Sequence, residues 1–347
     1  MSLFAERRKR VLSLARGRQV VAGTSVNTFY LTDFYGAGVS IVREDRTVVV
    51  TSKLDEERVK EVGREVEVVA VKRWADVWKK VEGLLGRGEV LVDCETGLRG
   101  RRFVRDAGLF RRARMVKDRE EVKRIRRASS GIDRVFEALE GAIRPGRTEW
   151  EVASVVMRAA TAERLTPNGF DGALSPTIIA SGENGALPHA ELTSRRIRNG
   201  DFVIADLSFR YMGYNSDATR TFAVGTVTAE MKRNYAAVLE SQLEGQDRVR
   251  EGVKCYEIDS AARTVLRRHG LEKLLNHGIG HGVGIEIHEE PFIGRKNRHE
   301  LLKDEVLTVE PGVYLKGRYG VRIEDTVRVG RRSEPLTHYT KELVTVG

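Results

Sequence analysis

The stretch that most constrains the fold is DFVIADLSFRYMGYNSDATRTFAVG, Asp201–Gly225. Two apolar, β-rich runs flank the turn-like RYMGYNS, so the chain must double back here as an antiparallel hairpin. With the turn centred between Tyr211 and Met212, Asp206 directly faces Asp217, their Cβ atoms ~5 Å apart. Both acids stand in runs whose composition predicts burial. Two buried carboxylates repel each other and lose hydration unless a cation lies between them. The downstream TVEPGVYLKGRYGVRIEDTV repeats the arrangement: a turn at Lys316–Arg318 sets Glu310 against Glu324, with Pro311 marking an irregular strand. For one acid, a solvated strand position or an ion pair is the simpler explanation. For two facing pairs, that explanation must leave like charges together twice. Four carboxylates and a histidine suit two divalent ions such as Mn²⁺, Co²⁺ or Zn²⁺ and disfavour thiolate-preferring metals.

Three of the seven histidines fall in HGIGHGVGIEIHEEP, as His277, His281 and His288. His277 and His281 have the i, i+4 spacing of a helical metal pair. Gly278, Gly280, Gly282 and Gly284 stand at every second position, however, and each costs ~1 kcal/mol inside a helix. The stretch therefore reads as a loop or irregular strand, whose glycines allow close backbone approach to a ligand or another strand. His189, in SGENGALPHAELT, follows Pro188 in a polar loop, where a lone histidine is ordinary surface.

The chain changes texture near Lys117. Before it, QVVAGTS, GVSIVRED, RTVVVTS, VEVVAV and EVLVDCE read as strands, and KLDEERVKEVGRE and WADVWKKVEGLLGRG as helices. That rhythm predicts a small α/β domain with a mostly parallel or mixed sheet, over 1–115. It holds no GxGxxG and no phosphate loop. After it come a long amphipathic helix over Asp118–Ile143 and one opened by the capping box Thr148–Glu151 and running to about Leu165. Helices over about Thr228–Glu251 and Tyr256–His269 follow, with strands between and after the helices. The second domain, 116–347, is thus α+β. At 347 residues and 41% hydrophobic content, two cores are affordable.

The net charge of +10 raises a nucleic-acid reading, but the bases are scattered and mostly have acids beside them. RGRRFVRD (Arg99–Asp106) and RRAR (Arg111–Arg114) are exceptions without a recognition motif, so no nucleic-acid partner is expected. No run of eighteen apolar residues exists, and MSLFAERRKR lacks the apolar core of a secretory signal; neither a membrane partner nor export is expected. Cys94 and Cys255 lie far apart without CxxC spacing and read as buried thiols of a reducing cytoplasm.

Together DLSFRYMGYNSDATRTF, HGIGHGVGIEIHEEP, TVEPGVY and GVRIEDT resemble the pita-bread metallopeptidases, a group containing Xaa-Pro dipeptidase (prolidase), aminopeptidase P, methionine aminopeptidase and creatinase. The match runs from about Lys117 to the C-terminus. NTFYLTDF, Asn27–Phe34, resembles more weakly the smaller N-terminal domain of the prolidase, aminopeptidase P and creatinase branch. The resemblance implies a pita-bread domain, a curved antiparallel sheet covered by helices. It implies that Asp206, Asp217, His281, Glu310 and Glu324 hold two metal ions, with Asp217 and Glu324 bridging. Asp206 would complete one site, and His281 and Glu310 the other. It implies that His189 and His288 contact the substrate carbonyl and the reaction intermediate, and that Glu310 accepts a proton; His277 receives no role. Arg322 would orient the bridging Glu324 and line the substrate pocket. Prolidases often carry an arginine just after HExP, placed to bind a dipeptide's carboxylate. Phe292 stands there instead, leaving an Xaa-Pro aminopeptidase beside the expected dipeptidase, with Arg295 as a nearby substitute. The expected partners are proline-containing dipeptides or short peptides and a second copy of the chain, as a homodimer. A metal-free creatinase-like hydrolase and a non-catalytic binding protein on the same fold are the other readings. Retention of all five ligands opposes the first, and retention of the histidines the second.

Overall fold

The computed structural model describes residues 2–96, 98, 100, 102–168 and 174–347; Arg99 and Arg101 of the basic stretch Arg99–Asp106 lie outside them. The chain divides into two compact units, Met1–Arg114 and Met115–Gly347.

The first unit runs α1 (Leu3–Ala15), β1 (Gln19–Ala22), α2 (Ser25–Thr32), β2 (Val39–Val42), β3 (Thr47–Ser52), α3 (Glu56–Val62), β4 (Val66–Val71), α4 (Val77–Leu84), β5 (Val90–Val92) and β6 (Phe103–Arg105). The division falls at the end of α5 (Gly108–Met115), where the sequence showed no helix. The strands form one mixed sheet ordered β4-β3-β2-β1-β5-β6, antiparallel at β1–β2 and β2–β3 and parallel elsewhere. Its valine-rich strands match the five β-runs of the sequence. Helices α1 and α2 carried no such signal. The buried face of α1 includes Arg7 and Arg8, so it lacks an apolar period. Arg7 donates to Tyr30 O, and Arg8 Nη2 donates to Glu65 and Asp45 O, in place of apolar packing. Helix α2, SVNTFYLT, is rich in residues that favour strands. It is set instead by the Thr24 cap on Asn27 N and by Asp93, which accepts from Gly23 N and Asn27 Nδ2.

The second unit opens with α6 (Arg119–Glu140) and α7 (Glu149–Ala162), started by the capping boxes Asp118–Glu121 and Thr148–Glu151. Strands β7 (Thr166–Pro167), β8 (Ile178–Ser181), β9 (Phe202–Tyr211) and β10 (Tyr214–Val224) follow, then α8 (Ala229–Asp247) and α9 (Cys255–Arg268). The chain ends in β11 (Gly280–Gly282), β12 (Glu289–Ile293), β13 (Val306–Val309), β14 (Gly312–Leu315), β15 (Tyr319–Arg322), β16 (Asp325–Arg328), β17 (Glu334–Pro335) and β18 (Thr345–Val346). One sheet is built on β9 and β10, joined by β7, β8 and β18; another runs β12-β11-β13-β16-β17, and β14 pairs with β15. Phe136, Val152 and Val156 of α6 and α7 pack on Val203, Phe209 and Phe222 of the first sheet. Val238, Ile258 and Leu266 of α8 and α9 pack on Leu307, Val321 and Val327. This is the curved, helix-covered sheet of a pita-bread domain.

One expectation needs correction. The β9–β10 turn lies at Met212 and Gly213, one residue later than the sequence placed it, and both have positive φ (46° and 85°). A two-residue hairpin turn of this kind needs left-handed backbone at both central positions, and Gly213 supplies one without strain. Asp206 therefore pairs with Thr219, and Asp217 with Ser208. The two acids are diagonal neighbours rather than direct partners. Because moving the turn by one residue moves each partner by two, side-chain faces are preserved and the carboxylates still share one face. The second hairpin keeps its expected register, with Gly312 opposite Arg322 and Leu315 opposite Tyr319. Val309 stands opposite Asp325 in the same register, so Glu310 and Glu324 occupy the gap between two ladders, interrupted by Pro311.

Candidate metal centre

A cavity of about 370 Å³ in the second unit gathers Asp206, Asp217, His281, Glu310 and Glu324 with His189, His277, His288, Phe292, Tyr314 and Arg322. Asp206 projects from β9, Asp217 from β10 and His281 from β11; Glu310 follows β13, and Glu324 lies between β15 and β16. One ligand atom each from Asp217, His281 and Glu324 lies within 4.8 Å of the others. His281 Nε2 is 3.7 Å from Asp217 Oδ2 and 3.5 Å from Glu310 Oε1.

The glycines of the histidine stretch make this approach possible. A Cβ on Gly280 would collide with Thr308 O, and one on Gly282 with Glu290 O, so β11 lies closer to its neighbours than side chains allow. The same crowding fixes the tautomer of His281. Its Nδ1 lies 3.1 Å from Gly282 O, and a carbonyl only accepts, so Nδ1 carries the proton and Nε2 presents its lone pair to the acids. Burial and the neighbouring His288 push the His281 pKa down to about 3, which keeps the ring neutral.

The acids are in electrostatic conflict. Burial first, then Asp206, hold Asp217 well above the ordinary carboxylate range. Burial and Glu324 do the same to Glu310, and burial with Asp217 and Asp206 to Glu324. Hydroxyl donors aim the two central carboxylates: Ser208 Oγ donates to Asp217 Oδ1 (2.8 Å) and Thr219 Oγ1 to Glu324 Oε2 (2.7 Å). Divalent cations among these groups would resolve the conflict, and a donor set of carboxylate oxygens with one neutral imidazole fits them.

Arg322 departs from its expected placement. Its side chain lies in the lining, yet it grips Asp206 Oδ2 (2.5 Å) rather than Glu324. Its other donors go to Tyr314 Oη, Pro188 O and Thr219 Oγ1. It touches Glu324 only through Thr219, and its guanidinium is already paired with Asp206. His277 is likewise occupied at both ring nitrogens. Nδ1 donates to Gly278 O, leaving Nε2 to accept from Tyr314 Oη, which in turn accepts from Arg322. Burial, then Arg322, pushes its pKa down to about 4. His288 meets His281 edge-on with ring centroids 4.3 Å apart, and burial lowers its pKa as well. Phe292 stands half-exposed at 51%. Arg295 is not in the lining and pairs with Glu272 at 3.2 Å. Sequence reasoning missed Ser208, Thr219 and Tyr314. The alternation of Asp217 with Thr219 along β10 was the one available signal for Thr219.

A curved, helix-covered sheet with a buried carboxylate and imidazole cluster in an open cavity defines a metal-dependent hydrolase. The sequence profile of metallopeptidase family M24 matches residues 123–331, and the chain belongs to this family. It is 31% identical to an Xaa-Pro dipeptidase of Pyrococcus horikoshii, over 99% of this chain and 100% of that protein. Its fold matches the Xaa-Pro dipeptidase from Bacillus anthracis with a TM-score of 0.89 at 30% identity, covering 99% of this chain and 100% of that one. The X-Pro aminopeptidase from Thermotoga maritima matches with a TM-score of 0.88 at 28% identity, covering 98% and 99%. Among the described residues, no helix is long and apolar enough to cross a membrane.

Proposed function

We propose that this chain is an exopeptidase that hydrolyses the bond preceding proline in Xaa-Pro dipeptides, using two divalent ions, Mn²⁺, Co²⁺ or Zn²⁺. The convergence of Asp217, His281 and Glu324 within 4.8 Å, with Glu310 and Asp206 in the same cavity, carries this reading. The likeness to Xaa-Pro dipeptidases over the whole chain supports the substrate class. Asp206, Asp217, His281, Glu310 and Glu324 would hold the ions. When bound, the ions supply Lewis acidity, which lowers the pKa of water toward neutrality and polarises the scissile carbonyl.

The protein's own groups do the rest. Glu310, buried beside the cluster, accepts the proton released by the attacking water. His288 and His189, both in the lining, donate to the carbonyl oxygen as negative charge develops on it and serve the departing proline nitrogen. Arg322 holds Asp206 in place from behind through the 2.5 Å contact.

One observation favours a second reading. Arg322 is the sole arginine or lysine among the described residues lining the cavity, and its donors point inward. A dipeptide's free carboxylate therefore finds no spare guanidinium there, whereas a longer Xaa-Pro peptide needs none. Steady-state hydrolysis of an Xaa-Pro dipeptide and the matching Xaa-Pro tripeptide, each with Mn²⁺, Co²⁺ and Zn²⁺, separates the two. A faster dipeptide supports the dipeptidase; a faster tripeptide supports the aminopeptidase. Failure to cut either with any of the metals overturns both.

A further inference from the structure

His288 closes the six-residue loop Val283–His288 that joins β11 to β12. Within the loop, Val283 N donates to Val306 O and Gly284 N to Glu286 O, and the carbonyls of Gly284 and Ile285 meet β10. Asn215 receives them. Its backbone N and its Nδ2 both donate to Gly284 O, at 2.8 and 2.9 Å, and Nδ2 also donates to Ile285 O at 2.8 Å. Two carbonyl acceptors require the amide nitrogen on that side, and Asn168 Nδ2 donates to Asn215 Oδ1 at 2.7 Å on the other. The side chain is fully buried and every polar atom is used.

Alternation along β10 puts Asn215, Asp217 and Thr219 on one strand face. That face therefore carries a bracket for the loop, a carboxylate of the metal cluster and the hydroxyl that aims Glu324. The loop's far end is held separately. Glu289 accepts from Glu286 N and from the buried Lys117 Nζ at 3.3 Å, but this bracket does not reach β10.

We infer that Asn215 is a positioning residue for His288, holding its loop in register with the strand that bears Asp217; this rests on the role proposed above for His288. Replacing the amide by an apolar side chain leaves the buried Ile285 carbonyl without its donor and the Gly284 carbonyl with the Asn215 backbone N–H alone, and the loop must move to rehydrate Ile285 O. A shift of about 1 Å at a reacting group costs up to about 100-fold in rate.

The test uses the full chain loaded with Mn²⁺, comparing wild type, Asn215→Leu, Asn215→Ser, His288→Ala and the double variant Asn215→Leu/His288→Ala. Asn215→Leu should keep the wild-type metal content and a KM within a few-fold, while kcat falls about 10- to 100-fold. Asn215→Ser, which retains a short donor, should recover part of the loss. In the His288→Ala background, Asn215→Leu should cost little more, because two residues acting through one group are not additive. Amides of Glu286–His288 should exchange hydrogen faster in Asn215→Leu, a readout independent of activity. Wild-type kcat in Asn215→Leu, fully multiplicative losses in the double variant, or unchanged exchange would each overturn the inference. If Asn215→Leu does not fold, Asn215→Ser carries the same comparisons with smaller expected losses. Wild-type inactivity toward Xaa-Pro peptides overturns the functional reading instead, and the exchange experiment still judges the bracket.

Discussion

Thr219 shows how much of the site rests on groups that never meet a ligand. Its hydroxyl accepts from Arg322 Nε and donates to Glu324 Oε2, joining the guanidinium that holds Asp206 to a carboxylate of the cluster. Thr219→Val keeps the shape and removes both bonds. It should lower metal affinity about 10- to 100-fold, read by titration of the chelated protein with Mn²⁺. An unchanged affinity would show that Glu324 needs no aiming. Phe292 lines the same cavity. Phe292→Arg places a cation at the mouth and should raise kcat/KM for an Xaa-Pro dipeptide relative to its C-terminal amide by several-fold, roughly one charge-assisted hydrogen bond of ~1.5–3 kcal/mol less its exposure to solvent. Equal effects on both substrates would place the dipeptide's carboxylate elsewhere. The acids were legible in sequence because buried like charges are costly and so conspicuous. Ser208, Thr219 and Tyr314 were not, since a hydroxyl on a strand is ordinary until the register shows what it faces.

At the level of elements, the glycine-rich histidine stretch was readable as irregular strand because glycine at alternate positions is incompatible with a stable helix. The structure gives the reason for the glycines in the backbone contacts of β11. Gly280→Ala drives a methyl into Thr308 O, and His281 is the next residue. The substitution should destabilise by at least ~1–3 kcal/mol in urea unfolding and weaken metal binding along with it. A neutral result would mean that β13 moves freely, contrary to its pairing with β11 and β16. What the sequence hid follows a pattern. Helix α1 buries arginines and helix α2 is built from strand-forming residues, so period and propensity misread both, and the partners Glu65 and Asp93 that hold them come from distant positions. The β9–β10 hairpin was found but its turn was displaced, because RYMGYNS offers several centres and backbone conformation alone selects Met212–Gly213.

Across the whole molecule, two groups of buried acids respond to pH in opposite directions. Asp325 follows Glu324 in the chain and is buried. Burial alone would raise its pKa, but Arg220 at 2.7 Å and Lys341 at 2.7 Å hold it below its ordinary value. Its contribution is therefore complete above the ordinary aspartate range and is lost as pH falls through the lowered folded value. Asp217, Glu310 and Glu324 are raised, so the folded chain without metal binds more protons than the unfolded chain. Their contribution is present below the ordinary carboxylate range and is lost as pH rises through the raised folded values. These carboxylates should cost the chelated protein stability as pH rises toward about 8, while His277, His281 and His288, all lowered, cost it stability as pH falls below the ordinary histidine value. Divalent metal replaces the protons, so Mn²⁺ should raise Tm more near pH 8 than near pH 5 and release protons into weakly buffered solution. Thermal unfolding at both pH values, with EDTA and with Mn²⁺, reads the difference directly. A gain in Tm from Mn²⁺ that is no larger near pH 8 than near pH 5 would mean that the three carboxylates tolerate one another without a cation, and the electrostatic case for the metal centre would fall with that result.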